Sequence, residues 1–271
     1  MKKTFLLLMA AILMLAIAGC SSSASSASKE KEISLVVFDD PIFKKITNVV
    51  EEEVEKQGYQ LKQIYLNDIV QPNEIVDKKE AYGNYFQHIA YLNQFNEDHG
   101  TKVVPAFYTF IDPAGLYSKK HKSVEEIPVG GTIAIPVDPA NNGRALFMLQ
   151  KKGLLKLRDG VNVVHTSTKD IVSNPKNLKF KEVDQQMLGR TIDDVDAGFM
   201  FTAIAVSSGL NPNDAIVKED KNDDIKPYNL VVGVHPDNKN GVKTEILRKA
   251  FQNDRVKKVL QENYPNVITA W

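Results

Sequence analysis

Two places in this chain combine residue types that could do chemistry. The first is an arginine near a helix start. Asp138 is a good N-cap and Pro139 suits the first helical position, so a helix opens there and Arg144 falls within its first two turns. A cation at that end opposes the helix dipole, so helix stability does not account for it. Helix starts attract anions, and an arginine beside one adds a two-pronged donor for a carboxylate. The alternative is a surface arginine paired with a nearby acid. The second place is Asn84-Tyr85-Phe86-Gln87-His88, read as the start of a helix running from Tyr85 to Glu97 with Asn84 as its cap. Its aromatics are either core or one wall of a cleft with a hydrogen-bonding tip.

Catalytic constellations are missing. There is no Gly-x-Ser-x-Gly elbow, no His-Glu-x-x-His and no Gly-x-x-x-x-Gly-Lys phosphate loop. The five histidines, His88, His99, His121, His165 and His235, never stand four apart. Gly130-Gly131 precedes a strand rather than following one, which a nucleotide loop would not do. The expectation is a protein that is not an enzyme and holds no cofactor and no metal.

The elements that must position these residues alternate. Ile33 to Phe38 reads as a strand, and Phe43 to Gln57 as a helix with Phe43, Ile46, Val49, Val50 and Val54 on one face, stopped by Gly58. Tyr59 to Leu66 and Lys102 to Ile111 are further strands. Strand, helix, strand in succession points to a parallel sheet. The pattern restarts with a strand at Thr132–Ile135, the helix after Asp138, a strand at Asp196–Met200, a short helix at Thr202–Ser208 and a strand at Leu230–Val234. Two amphipathic segments, Lys243–Gln252 and Asp254–Asn263, close the chain. Polar, strand-poor stretches at Ser118–Gly131 and Lys218–Pro227 are the expected seams. They divide the chain into a first lobe of residues 33–117 and 226–271 and a second of 118–225, two α/β domains joined by two crossing segments. Ligands of such folds sit in the crevice at the C-terminal ends of strands.

The N-terminus has its own signature. Lys2 and Lys3 precede an apolar run of 14 residues, Phe5 to Ala18. That is a secretory signal and is short of the ~20 residues that span a bilayer. The run breaks at Ile17-Ala18-Gly19-Cys20, which resembles a lipobox. Residues 1–19 are then the signal and Cys20, the chain's single cysteine, the lipidated residue. Ser-rich residues 20–32 form a flexible tether. Without the signal, 32 basic residues face 34 acidic ones, a net charge of −2, which gives no reason to expect nucleic acid as a partner. With one cysteine there is no internal disulfide. The setting is a membrane reached through lipid alone, at its extracytoplasmic face.

Four segments resemble a single family: Asp68-Ile69-Val70-Gln71-Pro72-Asn73, Asn84 to His88, Gly115-Leu116-Tyr117-Ser118, and Ile135 to Leu146. It is the NlpA-type, methionine-binding lipoprotein family, the substrate-binding components of ABC importers, and the motifs come in its order from Ile33 to the C-terminus. The resemblance implies a two-lobed periplasmic-binding-protein (type II) fold, a monomer that closes on an amino acid or short peptide and delivers it to a permease driven by an ATPase. It makes Tyr85, Phe86 and His88 ligand-facing and puts Phe110 in the aromatic wall. It gives Asn141 and Arg144 to the ligand carboxylate, with Asn229 contributing from the returning strand.

The chain departs from that pattern in one segment. The family's Asn-x-Asn-Tyr-Ala, whose amides help hold the ligand backbone, is replaced by Phe201-Thr202-Ala203-Ile204-Ala205, and Val137 replaces an asparagine. The expectation is weaker binding of free methionine and a preference for a ligand with a modified or extended amino end, such as a methionine-containing dipeptide. A protein of the same fold with a changed ligand, serving as a surface adhesin or antigen, is the rival reading. An extracytoplasmic enzyme is a more distant one.

Overall fold

The computed structural model describes residues 30–219, 223–264 and 268–271. The signal, Cys20 and the tether up to residue 29 lie outside the described residues. Glu32, assigned above to the tether, already begins a strand.

The first lobe is built on a six-stranded sheet. Strands β1 (Glu32–Phe38) and β2 (Gln60–Leu66) flank helix α1 (Pro41–Lys56) and pair in parallel, Leu35 opposite Gln63. Asp40 caps α1, its Oδ1 accepting from the Ile42 N–H at 2.7 Å. The expected face of α1 is the buried one: Phe43, Ile46, Val50 and Val54 enter the core, while Val49 is only half-buried. Side chains of this kind contribute about 1.5–3 kcal/mol each when fully buried. The chain turns away at Gly58, whose φ of +78° suits glycine.

Next come α2 (Gln71–Asp77), β3 (Gly83–His88), α3 (Ile89–His99) and β4 (Val104–Ile111). The helix expected from Tyr85 is therefore a strand up to His88, and α3 starts later. Asn84 does not cap it. Its side chain is buried and donates to Pro72 O and Asn73 Oδ1 at 3.1 and 2.9 Å. His88 is the cap instead, its Nδ1 accepting from the Tyr91 N–H at 3.1 Å. Gly83 lets β3 lie against its neighbours, for a Cβ there would meet Gly233 O at 2.7 Å. Tertiary pairing on both sides of β3 overrode the local helical pattern.

The second lobe holds a five-stranded sheet. Strand β5 (Ala114–Tyr117) leads, after a long loop, to β6 (Thr132–Pro136) and helix α4 (Pro139–Lys151), capped by Asp138 as expected. A small hairpin of β7 (Lys156–Leu157) and β8 (Ile171–Ser173) precedes β9 (Lys179–Val183), helix α5 (Leu188–Thr191), β10 (Ala197–Phe201), helix α6 (Thr202–Ser207) and β11 (Val217–Lys218). The chain then returns to the first lobe through β12 (Asn229–Val234), α7 (Val242–Phe251), α8 (Asp254–Asn263) and β13 (Ile268–Thr269). The sheet orders are β13-β4-β12-β3-β1-β2 and β11-β5-β10-β6-β9.

Each lobe has its own apolar core, and the chain crosses between the sheets twice. The first crossing is at Asp112-Pro113 and not at Ser118. Residues 114–117 pair antiparallel with β10, Leu116 opposite Phe199, and so belong to the second sheet. The second crossing runs from Lys218 to Asn229. No described helix is long and apolar enough to cross a membrane.

Candidate functional site

The C-terminal ends of β1, β3, β4, β6 and β10 all point toward the gap between the lobes. There they surround a cavity of about 50 Å³. The first lobe contributes Phe38, Ile69, Phe86, His88 and Tyr91, and the second contributes Asn141, Arg144, Gln185, Phe201 and Ala203. Asp112 lines it from the first crossing.

His88 ties the two walls together. Because Nδ1 accepts from Tyr91, the ring proton resides on Nε2, which donates to Asn141 Oδ1 at 2.8 Å. Asn141 Nδ2 donates in turn to Asp138 Oδ1 at 2.9 Å. Burial, and then the nearby Arg144 charge, pull the His88 pKa down to about 3, so the ring is neutral. Burial pushes Asp138 up to about 6. A second bridge crosses the gap where Ser207 Oγ donates to Asp40 Oδ2 at 2.8 Å.

Arg144 is 3 % exposed, and its guanidinium is already held by the protein. Nε donates to Glu219 Oε1 at 2.8 Å and Nη2 to Oε2 at 2.5 Å, while Nη2 also reaches Asp112 O at 3.2 Å. Both readings of this residue therefore contain part of the truth: it pairs with an acid, and it does so buried beside the cavity. Burial works against its charge, and the Glu219 carboxylate keeps the guanidinium protonated nonetheless. The guanidinium carbon stands 3.8 Å from the Tyr228 ring centroid and 5.1 Å from that of Phe201, positions suited to cation–π attraction. Nη1 makes no hydrogen bond among the described residues and is the donor left for a ligand carboxylate. Gly143 fixes where this arginine sits. A Cβ there would lie 1.7 Å from Val163 O, so only glycine lets α4 press against the turn at Val163–His165.

Four of the expected ligand residues, Phe86, His88, Asn141 and Arg144, come together at the cavity. Three do not. Tyr85 alternates to the opposite face of β3 from Phe86 and His88. It is fully buried between Phe43 and Phe251, with ring centroids 5.0 and 4.7 Å away, and its hydroxyl has no well-formed hydrogen bond among the described residues. Phe110 is sealed in the first lobe's core, 4.9 Å from the Tyr264 ring. Asn229, the first residue of β12, closes a turn by donating to Lys226 O at 2.8 Å. The sequence reading missed Asp112, Glu219 and Tyr228. An acid at the end of the apolar strand Phe110-Ile111-Asp112 was a usable signal for the first. For Glu219, 75 residues from its partner, there was none.

The replaced segment has the consequence its residues suggest. Phe201 packs edge-on against Phe199 at 5.5 Å, and both Phe201 and Ala203 line the cavity with carbon side chains, as expected from the sequence. Among the described residues no group of three His, Cys, Asp or Glu is placed to hold a metal ion. The arrangement offers an apolar pocket, a neutral imidazole–amide relay, one arginine N–H face and one carboxylate. That is equipment for binding a small polar-ended molecule.

Known proteins share this architecture. The family profile described as NlpA lipoprotein matches residues 39–271. The D-methionine-binding lipoprotein MetQ of Salmonella typhi is 38% identical over 257 residues, covering 94% of this chain and 92% of its own. Outer membrane lipoprotein 1 of Mannheimia haemolytica is 37% identical over 219 residues, covering 80% of this chain and 78% of its own. A nutrient-binding protein of Burkholderia cenocepacia, solved bound to methionine, superposes with a TM-score of 0.83 at 35% identity, over 88% of this chain and all of the other.

Proposed function

This chain belongs to the NlpA lipoprotein family, and we propose that it captures a methionine-like amino acid or short methionine-containing peptide between its lobes and delivers it to an ABC importer. The observation that carries this reading is the cavity itself. Residues of two separate lobes converge on it and are bridged by the His88–Asn141 hydrogen bond. A ligand that touches both walls favours the closed arrangement. Arg144 Nη1 would meet the carboxylate, and Phe38, Phe86 and Tyr91 would enclose the side chain. Cys20 would carry the lipid that holds the protein, as a monomer, at the extracytoplasmic face, with the permease and its ATPase as partners. The Salmonella relative and the Burkholderia structure are named for binding rather than for turnover, and among the described residues the cavity has no nucleophile with a base beside it.

The test is to strip the full-length, detergent-solubilised protein of bound small molecules and titrate it with L-methionine and methionine dipeptides by calorimetry, alongside small-angle scattering. Binding should come with a smaller radius of gyration. Binding of no member of the panel, or an unchanged scattering profile at saturation, would count against the reading. The lipid anchor is tested separately: Cys20→Ala should move the protein out of the detergent phase.

A further inference from the structure

The ionisable groups around the cavity are not all paired. Arg144 is matched by Glu219, which holds it at two points. His88 is neutral. Asp112 is left over. It is 6 % exposed, lines the cavity and forms no ion pair among the described residues; Arg144 reaches only its backbone oxygen. Its carboxylate is nevertheless fixed in place, with Oδ1 accepting from the Thr202 N–H at 3.1 Å. The Arg144 charge acts on it but is already matched by Glu219, and burial holds the carboxyl largely in its protonated form at neutral pH, with a pKa raised to about 8. Asp112 stands at the first crossing and lines the cavity beside the Ala203 backbone, so a small molecule entering the cavity can bring the cation that favours its ionised form.

We infer that Asp112 recognises a protonated amine, and that the ligand of this cleft carries a free ammonium group rather than an acylated or otherwise capped nitrogen. This rests on the reading of the cleft as an amino-acid site and deepens it. The chemistry explains how the cleft works with carbon at Phe201 and Ala203. Amides hold an ammonium through their carbonyls, whereas one anchored carboxylate supplies both the acceptor and the countercharge. It also narrows the expectation of an extended amino end. A dipeptide with a free N-terminus still fits; an N-acyl amino acid does not, because it would leave Asp112 buried and unpaired beside a neutral amide. Asp112 is thus a specificity residue, while Glu219 is a positioning residue that leaves Arg144 a single donor face.

The experiment compares L-methionine, its 2-hydroxy analogue and N-acetyl-L-methionine by calorimetry on the full-length solubilised protein. The wild type should favour methionine over each of the other two by at least about 30-fold, the scale of a lost hydrogen bond to a charged group. Asp112→Asn keeps the shape and the Thr202 contact but removes the charge, and should cut that ratio to below about 3-fold. Asp112→Glu should restore part of it. An undiminished ratio in Asp112→Asn overturns the inference and leaves the amino-acid reading standing, as does wild-type binding of N-acetyl-L-methionine as tightly as methionine. A wild type that binds none of a wider panel of amino acids overturns the reading of the cleft, and this inference with it.

Discussion

The two walls of the cleft are built on opposite principles. On the first lobe, the polar side chains lining the cavity are neutral, and all but His88, whose Nε2 donates across the gap to Asn141, are satisfied within the lobe. Gln87 exchanges hydrogen bonds with Asn73 and donates to Asn84 Oδ1, Tyr91 Oη donates to Ile69 O at 2.8 Å, and His88 is uncharged. On the second lobe and the crossings stand ionisable groups: Arg144 is buried and paired with the part-buried Glu219, and Asp112 is a buried carboxyl with no ion-pair partner among the described residues. One wall therefore contributes shape and the other contributes charge. A buried neutral network needs only internal hydrogen bonds, which one lobe can complete alone. Buried charges need partners brought from distant parts of the chain, and here they gather where the chain crosses between lobes.

That contrast can be broken most strongly at Arg144. Arg144→Ala removes the two-point partner of the part-buried Glu219, and should destabilise the protein by up to about 3 kcal/mol in denaturant unfolding. The double variant Arg144→Met with Glu219→Gln should recover most of this loss. A single variant as stable as wild type would mean the pair is solvated in solution and the second wall is not a buried-charge wall.

Smaller effects come from pH, and they run in opposite directions on the two walls. Burial raises Asp112 to about 8, against an unfolded value near 3.9, so the folded state holds the extra proton between those limits. Its contribution to stability grows as pH falls from about 8 to about 4. Asp138, raised to about 6, acts in the same sense below that value. His88 is depressed to about 3 against an unfolded 6.5, so the folded state holds fewer protons and stability is lost as pH falls below 6.5. Each effect is worth at most about 1.4 kcal/mol per pH unit. Thermal melts of Asp112→Asn should therefore show steeper acid sensitivity than wild type, and melts of His88→Gln shallower. Ligand binding should follow the Asp112 side. Pairing an ammonium requires the ionised carboxylate, so methionine affinity should rise with pH toward about 8 in wild type and stay flat in Asp112→Asn. The other titratable groups around Asp112 are Arg144, which is paired, Asp40, which accepts from Ser207, and Tyr85, Tyr117 and Tyr264, which burial holds in the phenol form.

The smallest effect sharpens the boundary of the first wall. Tyr85→Phe removes a buried hydroxyl with no well-formed hydrogen bond among the described residues, so stability should hold or rise by up to about 1 kcal/mol. Methionine affinity should not change. A tenfold loss of affinity would put Tyr85 in the wall after all.

The sequence by itself determined much of the frame. Apolar periodicity marked α1 and its buried face, Asp138-Pro139 marked the start of α4, and strand–helix alternation in two rounds marked two α/β lobes. These are local signals, carried by residues within one or two turns of each other. Family motifs added Phe86, His88, Asn141 and Arg144. Only the tertiary structure decided the rest. Whether Tyr85 or Phe86 faces the cleft depends on the phase of β3 between β1 and β12, and a strand's two faces read alike when both are buried. That Ala114–Tyr117 joins the second sheet depends on a pairing with β10 more than 80 residues away. The cleft's charge balance could not be read locally either. Glu219 meets Arg144 across 75 residues, and Asp112 becomes a buried carboxyl with a raised pKa only in the folded chain. Burial and long-range pairing set the energy of a charge, and both belong to the folded chain.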